Sequence, residues 1–204
     1  MSAAALDRRG YFEALYGASS DPYALRTRWY EQRKRALLLA ALPQPRYAHA
    51  YEPGCGVGEL TAALAQRCDA VLASDFSAGA LAAARERTAT LGNVRIEQHV
   101  LPGDWPRERG AFDLIVLSEI GYFLDVEEMR ELARRCGETL SGGGTLVACD
   151  WRPDFAQRAL PTPEVHAALA ELGLARLVCH EEDDFVLQLW SGDPRSVAQR
   201  EGIR

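Results

Sequence analysis

The amino-acid sequence predicts an α/β fold. Three observations carry this: a strand, glycine turn and helix between Ala48 and Leu64 (AHAYEPGCGVGELTAAL), a continuing alternation of strand-like and helix-like runs, and two apolar runs around an acidic turn near the end. In the first unit a short apolar run (Ala48, Ala50, Tyr51) ends at Glu52, and Gly54, Gly56 and Gly58 lead into a helical pattern with Leu60, Ala63 and Leu64 on one side. Glycines at this spacing admit positive φ and let a ligand approach bare backbone, while the N–H groups that open the helix face it. Such a turn is suited to a small molecule.

The elements follow in order. Met1 to Gly10 reads as a frayed or loosely docked terminus. Tyr11, Phe12 and Tyr16 precede a polar break at Gly17–Pro22, after which Leu25 to Leu42 is predicted as a helix. Arginine is dense from Arg26 to Arg35, which suits an anionic small substrate or a cofactor carboxylate. After the glycine turn, the run Ala70–Ser74 ends at Asp75, 21 positions beyond Gly54 (75 − 54), near the separation of an acid that hydrogen-bonds a ribose. Asp75 could equally cap the next helix, a role for which Ser77 competes. Asn93–Val100 alternates as a third strand, with His99 at its tip either facing solvent or beside a ligand. Trp105, in the following loop, is expected to pack inward.

Phe112–Leu117 is a continuous apolar run, the pattern of a central parallel strand covered on both faces. It ends at Ser118-Glu119-Ile120-Gly121-Tyr122, and strand carboxyl ends are where open parallel sheets place ligands. Asp125 and Glu128 make a capping box for a helix over Val126–Leu140, and Ser141–Gly144 is expected to end it before a strand at Thr145–Cys149. That strand delivers Asp150-Trp151-Arg152 to the same edge. Thr162-Pro163 starts a helix bearing His166. Leu174–Glu181 and Phe185–Trp190 then form the hairpin, and Ser191–Arg204 reads as a loose tail.

Composition narrows the class. With 204 residues, 48% of them hydrophobic, the chain can bury one substantial core, so a single domain over 1–204 is expected. A net charge of −6 argues against nucleic acid as the main partner. No membrane-length apolar run or secretory start is visible, so a cytoplasmic protein without membrane association is expected. Cys55, Cys68, Cys136, Cys149 and Cys179 are scattered and the four histidines dispersed, which predicts free thiols and no metal. Cys55 is read as a small residue in a crowded turn in preference to a reactive thiol.

The residues Glu52-Pro53-Gly54-Cys55-Gly56-Val57-Gly58, Asp75 and Phe112–Val116 resemble motifs of the class I S-adenosylmethionine-dependent methyltransferases. The resemblance implies a three-layer sandwich with a mainly parallel seven-stranded sheet, and a helical addition at 11–42 covering the cofactor mouth. Asp21-Pro22-Tyr23, Trp29-Tyr30-Glu31 and Arg33-Lys34 resemble, more narrowly, the group typified by nodulation protein S, which acts on an amino group of a de-acetylated chitooligosaccharide; Tyr23 stands where a Trp is expected.

What this implies for the site is specific. Glu52, Gly54, Cys55 and Gly56 would face the methionine end of S-adenosylmethionine, with Asp75 on the ribose, Phe76 on an adenine face, and Val100 and Leu101 at the adenine edge. Arg33 would pair with the methionine carboxylate, and Ser118 would lie near the methyl group. Glu119 is the first candidate base and His166 the second, with Tyr122 or Tyr23 as orienting hydroxyls. Tyr23, Trp151 and Arg152 would meet the substrate. The expected reaction is N-methylation of a small polar amine or amino sugar by a monomer or weak homodimer. The alternatives are O- or S-methylation, a non-catalytic S-adenosylmethionine binder, or an NAD-dependent oxidoreductase.

Overall fold

A computed structural model describes the backbone of residues 3–204 and side chains from Arg8 onward. One sheet contains β1 (Tyr47–Pro53), β2 (Cys68–Asp75), β3 (Val94–Gln98), β4 (Phe112–Ser118), β5 (Leu140–Trp151), β6 (Ala175–Glu181) and β7 (Phe185–Ser191), in the order β3-β2-β1-β4-β5-β7-β6. Strands β1 to β5 pair in parallel, and β7 runs antiparallel to both β5 and β6. The helices are α1 (Ala3–Ala18), α2 (Trp29–Ala41), α3 (Glu59–Leu64), α4 (Ala78–Thr88), α5 (Val126–Thr139), α6 (Thr162–Ala170) and α7 (Val197–Arg200).

Period-two alternation along β4 divides the core. Leu114 and Val116 pack with Leu38 of α2, Leu42 just after it and Leu64 of α3, whereas Ile115 and Leu117 pack with Met129, Leu132 and Cys136 of α5 and Val165 and Leu169 of α6. This is the expected three-layer sandwich, with β4 buried on both faces. Among the described residues no helix is long and apolar enough to cross a membrane.

Four boundaries depart from the sequence expectation, each for a local reason. The start is helical from Ala3, and the Arg8 guanidinium forks onto Glu128 at 3.0 and 3.1 Å; Met1 and Ser2 lie outside the described residues. Helix α2 begins at Trp29 instead of Leu25, because the Asp21 carboxylate accepts the N–H groups of Leu25 (2.8 Å) and Arg26 (3.1 Å) and Ala24 turns at φ 55°. Ser141–Gly144 extends β5, with Leu140 paired to Phe112 and the Gly192 N–H donating to the Gly144 carbonyl. The tail carries α7, nucleated by a capping box between Ser196 and Gln199 and tied back by Arg200 to Ser191 and Asp193.

Candidate active site

A cavity of about 800 Å³ opens where β1, β2, β3, β4 and β5 end. The glycine turn supplies its floor. Gly54 sits at φ 71°, and a Cβ there would lie 2.2 Å from the Ile120 side chain. Gly56 sits at φ 52°, with the Tyr16 hydroxyl of α1 against it, 3.2 Å from where a Cβ would be. Helices α1 and α2 form the opposite wall through Phe12, Tyr16, Tyr30, Glu31, Lys34 and Arg35.

One end of the cavity is built by β1 and β2. Glu52 is buried, and among the described residues its Oε2 has no hydrogen-bond partner. Burial, aided by the charge of Asp75, pushes its carboxyl up to about 8. Asp75 accepts the Gly56 N–H at 3.1 Å and the Ser77 N–H at 2.9 Å, so it ties the loop after β2 to the glycine turn; burial raises it too, against those bonds. Ser77 caps α4 as its position suggested. Phe76 faces the cavity and meets Phe12 edge-on at 5.6 Å. Val100 gives its N–H to Asp104, which leaves Leu101 as the better placed backbone at this edge. His99 is not solvent-facing: its ring sits between the Tyr51 hydroxyl and Glu97, 3.1 Å from each. Cys55 is buried and its thiol raised well above the usual range by burial, which removes the reactive-thiol reading.

The other end gathers around Glu119, which follows β4 in a left-handed conformation at φ 61°. Such a conformation costs about 1–3 kcal/mol for a residue with a side chain. Three donors offset that cost. Lys34 Nζ lies 2.5 Å from Oε1, while the Tyr122 hydroxyl (2.5 Å) and the Trp151 N–H (2.9 Å) both donate to Oε2. Lys34 also contacts Glu31 Oε2 at 3.1 Å and lies 5.1 Å from the Tyr30 ring centre. Burial alone would lower Lys34, but Glu119 and Glu31 hold it above the ordinary lysine value. Tyr122 is buried and pushed up by that burial and by Glu119. Tyr23, Trp151, Phe155 and Asp184 complete this end, with Ser118 between the two.

Three anticipated residues fall outside the cavity. Arg33 is turned about 100° around α2 from Lys34 and pairs with Glu182 at 2.7 and 2.8 Å. His166 is buried between Asp150 (3.1 Å) and Gln188 (3.2 Å), with both ring nitrogens engaged. Arg152 turns to the Glu182 carbonyl and Glu181 at the β6–β7 corner. Conversely, Glu31, Lys34, Arg35 and Tyr16 line the cavity and were not anticipated. For Lys34 a signal existed: it is the chain's only lysine, beside 22 arginines (23 − 1).

A methyltransferase-domain family model matches residues 50–144. Nodulation protein S of Bradyrhizobium diazoefficiens is 31% identical over 160 residues, covering 78% of this chain and 73% of that protein. Two further curated relatives, 32% and 36% identical, are longer, and the chain spans 59% and 51% of their length. A Pseudomonas syringae crystal structure assigned to the methyltransferases is 48% identical, with a TM-score of 0.72 over 80% of this chain and 99% of that one. The N-methyltransferase NodS of Bradyrhizobium japonicum WM9, crystallised with S-adenosyl-L-homocysteine, shares the fold at 23% identity, with a TM-score of 0.76 over 92% of this chain and 98% of that one.

Proposed function

The chain belongs to the class I S-adenosylmethionine-dependent methyltransferases, in the group typified by nodulation protein S, and we propose that it methylates a nitrogen of a small polar amine. The observation that carries the choice of nitrogen is the charge of the Glu119 end, where Glu31 and Glu119 flank the buried Lys34 and leave one carboxylate in excess, while Asp184 and Arg28, which also line the cavity, are exposed and opposite in charge. An excess of carboxylates beside aromatic walls suits an ammonium.

The residues present fit the family's cofactor. The unpartnered buried oxygen of Glu52 is an acceptor awaiting a donor, which the amino group of a methionine moiety supplies. Asp75, held by two amides, keeps lone pairs for ribose hydroxyls, and Phe76 and Leu101 would flank the adenine. Gly54, Cys55 and Gly56 present backbone. With Arg33 engaged elsewhere, Arg35 takes its role toward the carboxylate: it lines the cavity and, among the described residues, donates only to the Leu25 carbonyl at 3.4 Å. S-adenosylmethionine, when bound, supplies a methyl group already activated on a sulfonium. The protein's task is alignment, which can contribute up to ~7–11 kcal/mol. Glu119, which already accepts from three donors, fixes Tyr122 and Trp151 as walls. Glu31, bonded among the described residues to Lys34 alone, has lone pairs free to take the amine proton, a contribution of ~10²–10⁴-fold for a well-placed base. We also take the chain as one domain with 11–42 as its cap, acting on a small molecule and not on nucleic acid.

The test pairs calorimetry against S-adenosylhomocysteine and NAD with a labelled-methyl screen over amines, amino sugars, alcohols and carboxylic acids. Label in an amine is the expected result. Label confined to oxygen or sulfur acceptors overturns the choice of nitrogen, and tight cofactor binding with no transfer to anything overturns catalysis.

A further inference from the structure

Lys34 is the chain's single lysine, and it is 7% exposed inside the cavity. Elsewhere the chain uses arginine for every basic position, including the forks on Glu128 and Glu182. A guanidinium is a broad plane with donors in a fixed fork, whereas an ammonium is a compact point charge that can sit between two carboxylates. Lys34 does the latter, bridging Glu119 and Glu31 from α2 to the end of β4.

The bridge sets the charge an acceptor meets. Glu31 and Glu119 carry two negative charges, Lys34 cancels one, and one is left. A ligand with one ammonium brings the cluster to neutrality. A ligand with a second ammonium within reach places it against Lys34, between aromatic walls where like charges are poorly screened. Resting on the nitrogen-methylation reading above, we propose that Lys34 is a specificity-determining residue that admits amines bearing one positive charge and rejects diamines and polyamines. The rings of Tyr23, Tyr30, Tyr122, Trp151 and Phe155 give the carbon skeleton of that amine a wall to pack against.

Benzylamine and 1,4-diaminobutane serve as probes, with kcat/KM for labelled-methyl transfer measured for the wild type, Lys34→Met and Lys34→Arg, and S-adenosylhomocysteine affinity followed by calorimetry. The wild type should prefer benzylamine at least tenfold. Lys34→Met should shrink that ratio at least tenfold, Lys34→Arg should restore most of it, and cofactor affinity should stay within threefold throughout. A ratio unchanged within twofold in Lys34→Met overturns the proposal, as does a wild type that uses both probes equally or neither. Loss of S-adenosylhomocysteine binding by the wild type instead overturns the methyltransferase reading beneath it. If Lys34→Met melts too low to assay, Lys34→Gln decides on the same readout: the ratio should shrink at least tenfold, and a ratio unchanged within twofold overturns the proposal.

Discussion

The two ends of the cavity are built by opposite strategies. At the β1–β2 end the ligand-facing surface is mostly backbone: a glycine turn within seven residues of Glu52, whose Gly56 N–H donates to Asp75 on the neighbouring strand, as does the Ser77 N–H of the following loop. At the Glu119 end it is mostly side chains: Lys34 from α2 and Tyr122 from the turn after β4 meet on one carboxylate, joined there by the Trp151 N–H at the end of β5. The first end tolerates no added atoms, because its shape is the chain itself. The second can be recharged by one substitution without moving the chain.

The sharpest way to break this comparison is Gly54→Val. A side chain there meets Ile120 at a backbone angle that L-residues avoid, so stability should fall by about 2–5 kcal/mol and S-adenosylhomocysteine binding should vanish. Near-wild-type melting and affinity would show that the turn is not shape-limited.

Glu52 gives the next effect, and it carries a sign. Its folded carboxyl titrates at about 8, above its unfolded value, so between roughly pH 4.5 and 8 the folded state holds a proton that the unfolded state has lost. Stability of the free protein should therefore decline as pH rises through that window, and Glu52→Gln should flatten the decline in melting scans. Pairing with the cofactor's ammonium requires the ionised form. Affinity for S-adenosylhomocysteine should accordingly strengthen up to tenfold per pH unit from about 6 toward 8 in the wild type, and not in Glu52→Gln. The smallest effects separate two arginines two residues apart on α2. Arg35→Ala should weaken cofactor binding about tenfold, whereas Arg33→Ala, which loses only its exposed pair with Glu182, should stay within twofold. The reverse pattern would return the carboxylate to Arg33.

Legibility followed the same division. The glycine turn, Asp75, the Ser77 cap, the Asp125–Glu128 capping box and the apolar run of β4 are patterns spanning a few neighbouring residues, and each is found where the sequence placed it. The misreadings needed information from elsewhere in the chain. His166 resembles a free histidine until β5 and β7 bring Asp150 and Gln188 to its two nitrogens. Arg33 and Arg35 differ by about 200° around a helix, so the one that faces the cavity follows from how α2 lies on the sheet. The Ser196–Gln199 box was readable and was passed over for a tail.

The sequence by itself determined the α/β class, the strand edge that carries the cavity and the family, because periodicity, positive-φ glycines and caps act over a few residues. Only the tertiary structure decided which charged side chains meet. Glu31, Lys34 and Glu119 span 85 residues between Lys34 and its nearer carboxylate, and ion pairing across such a separation depends on the packing angle of a helix on a sheet.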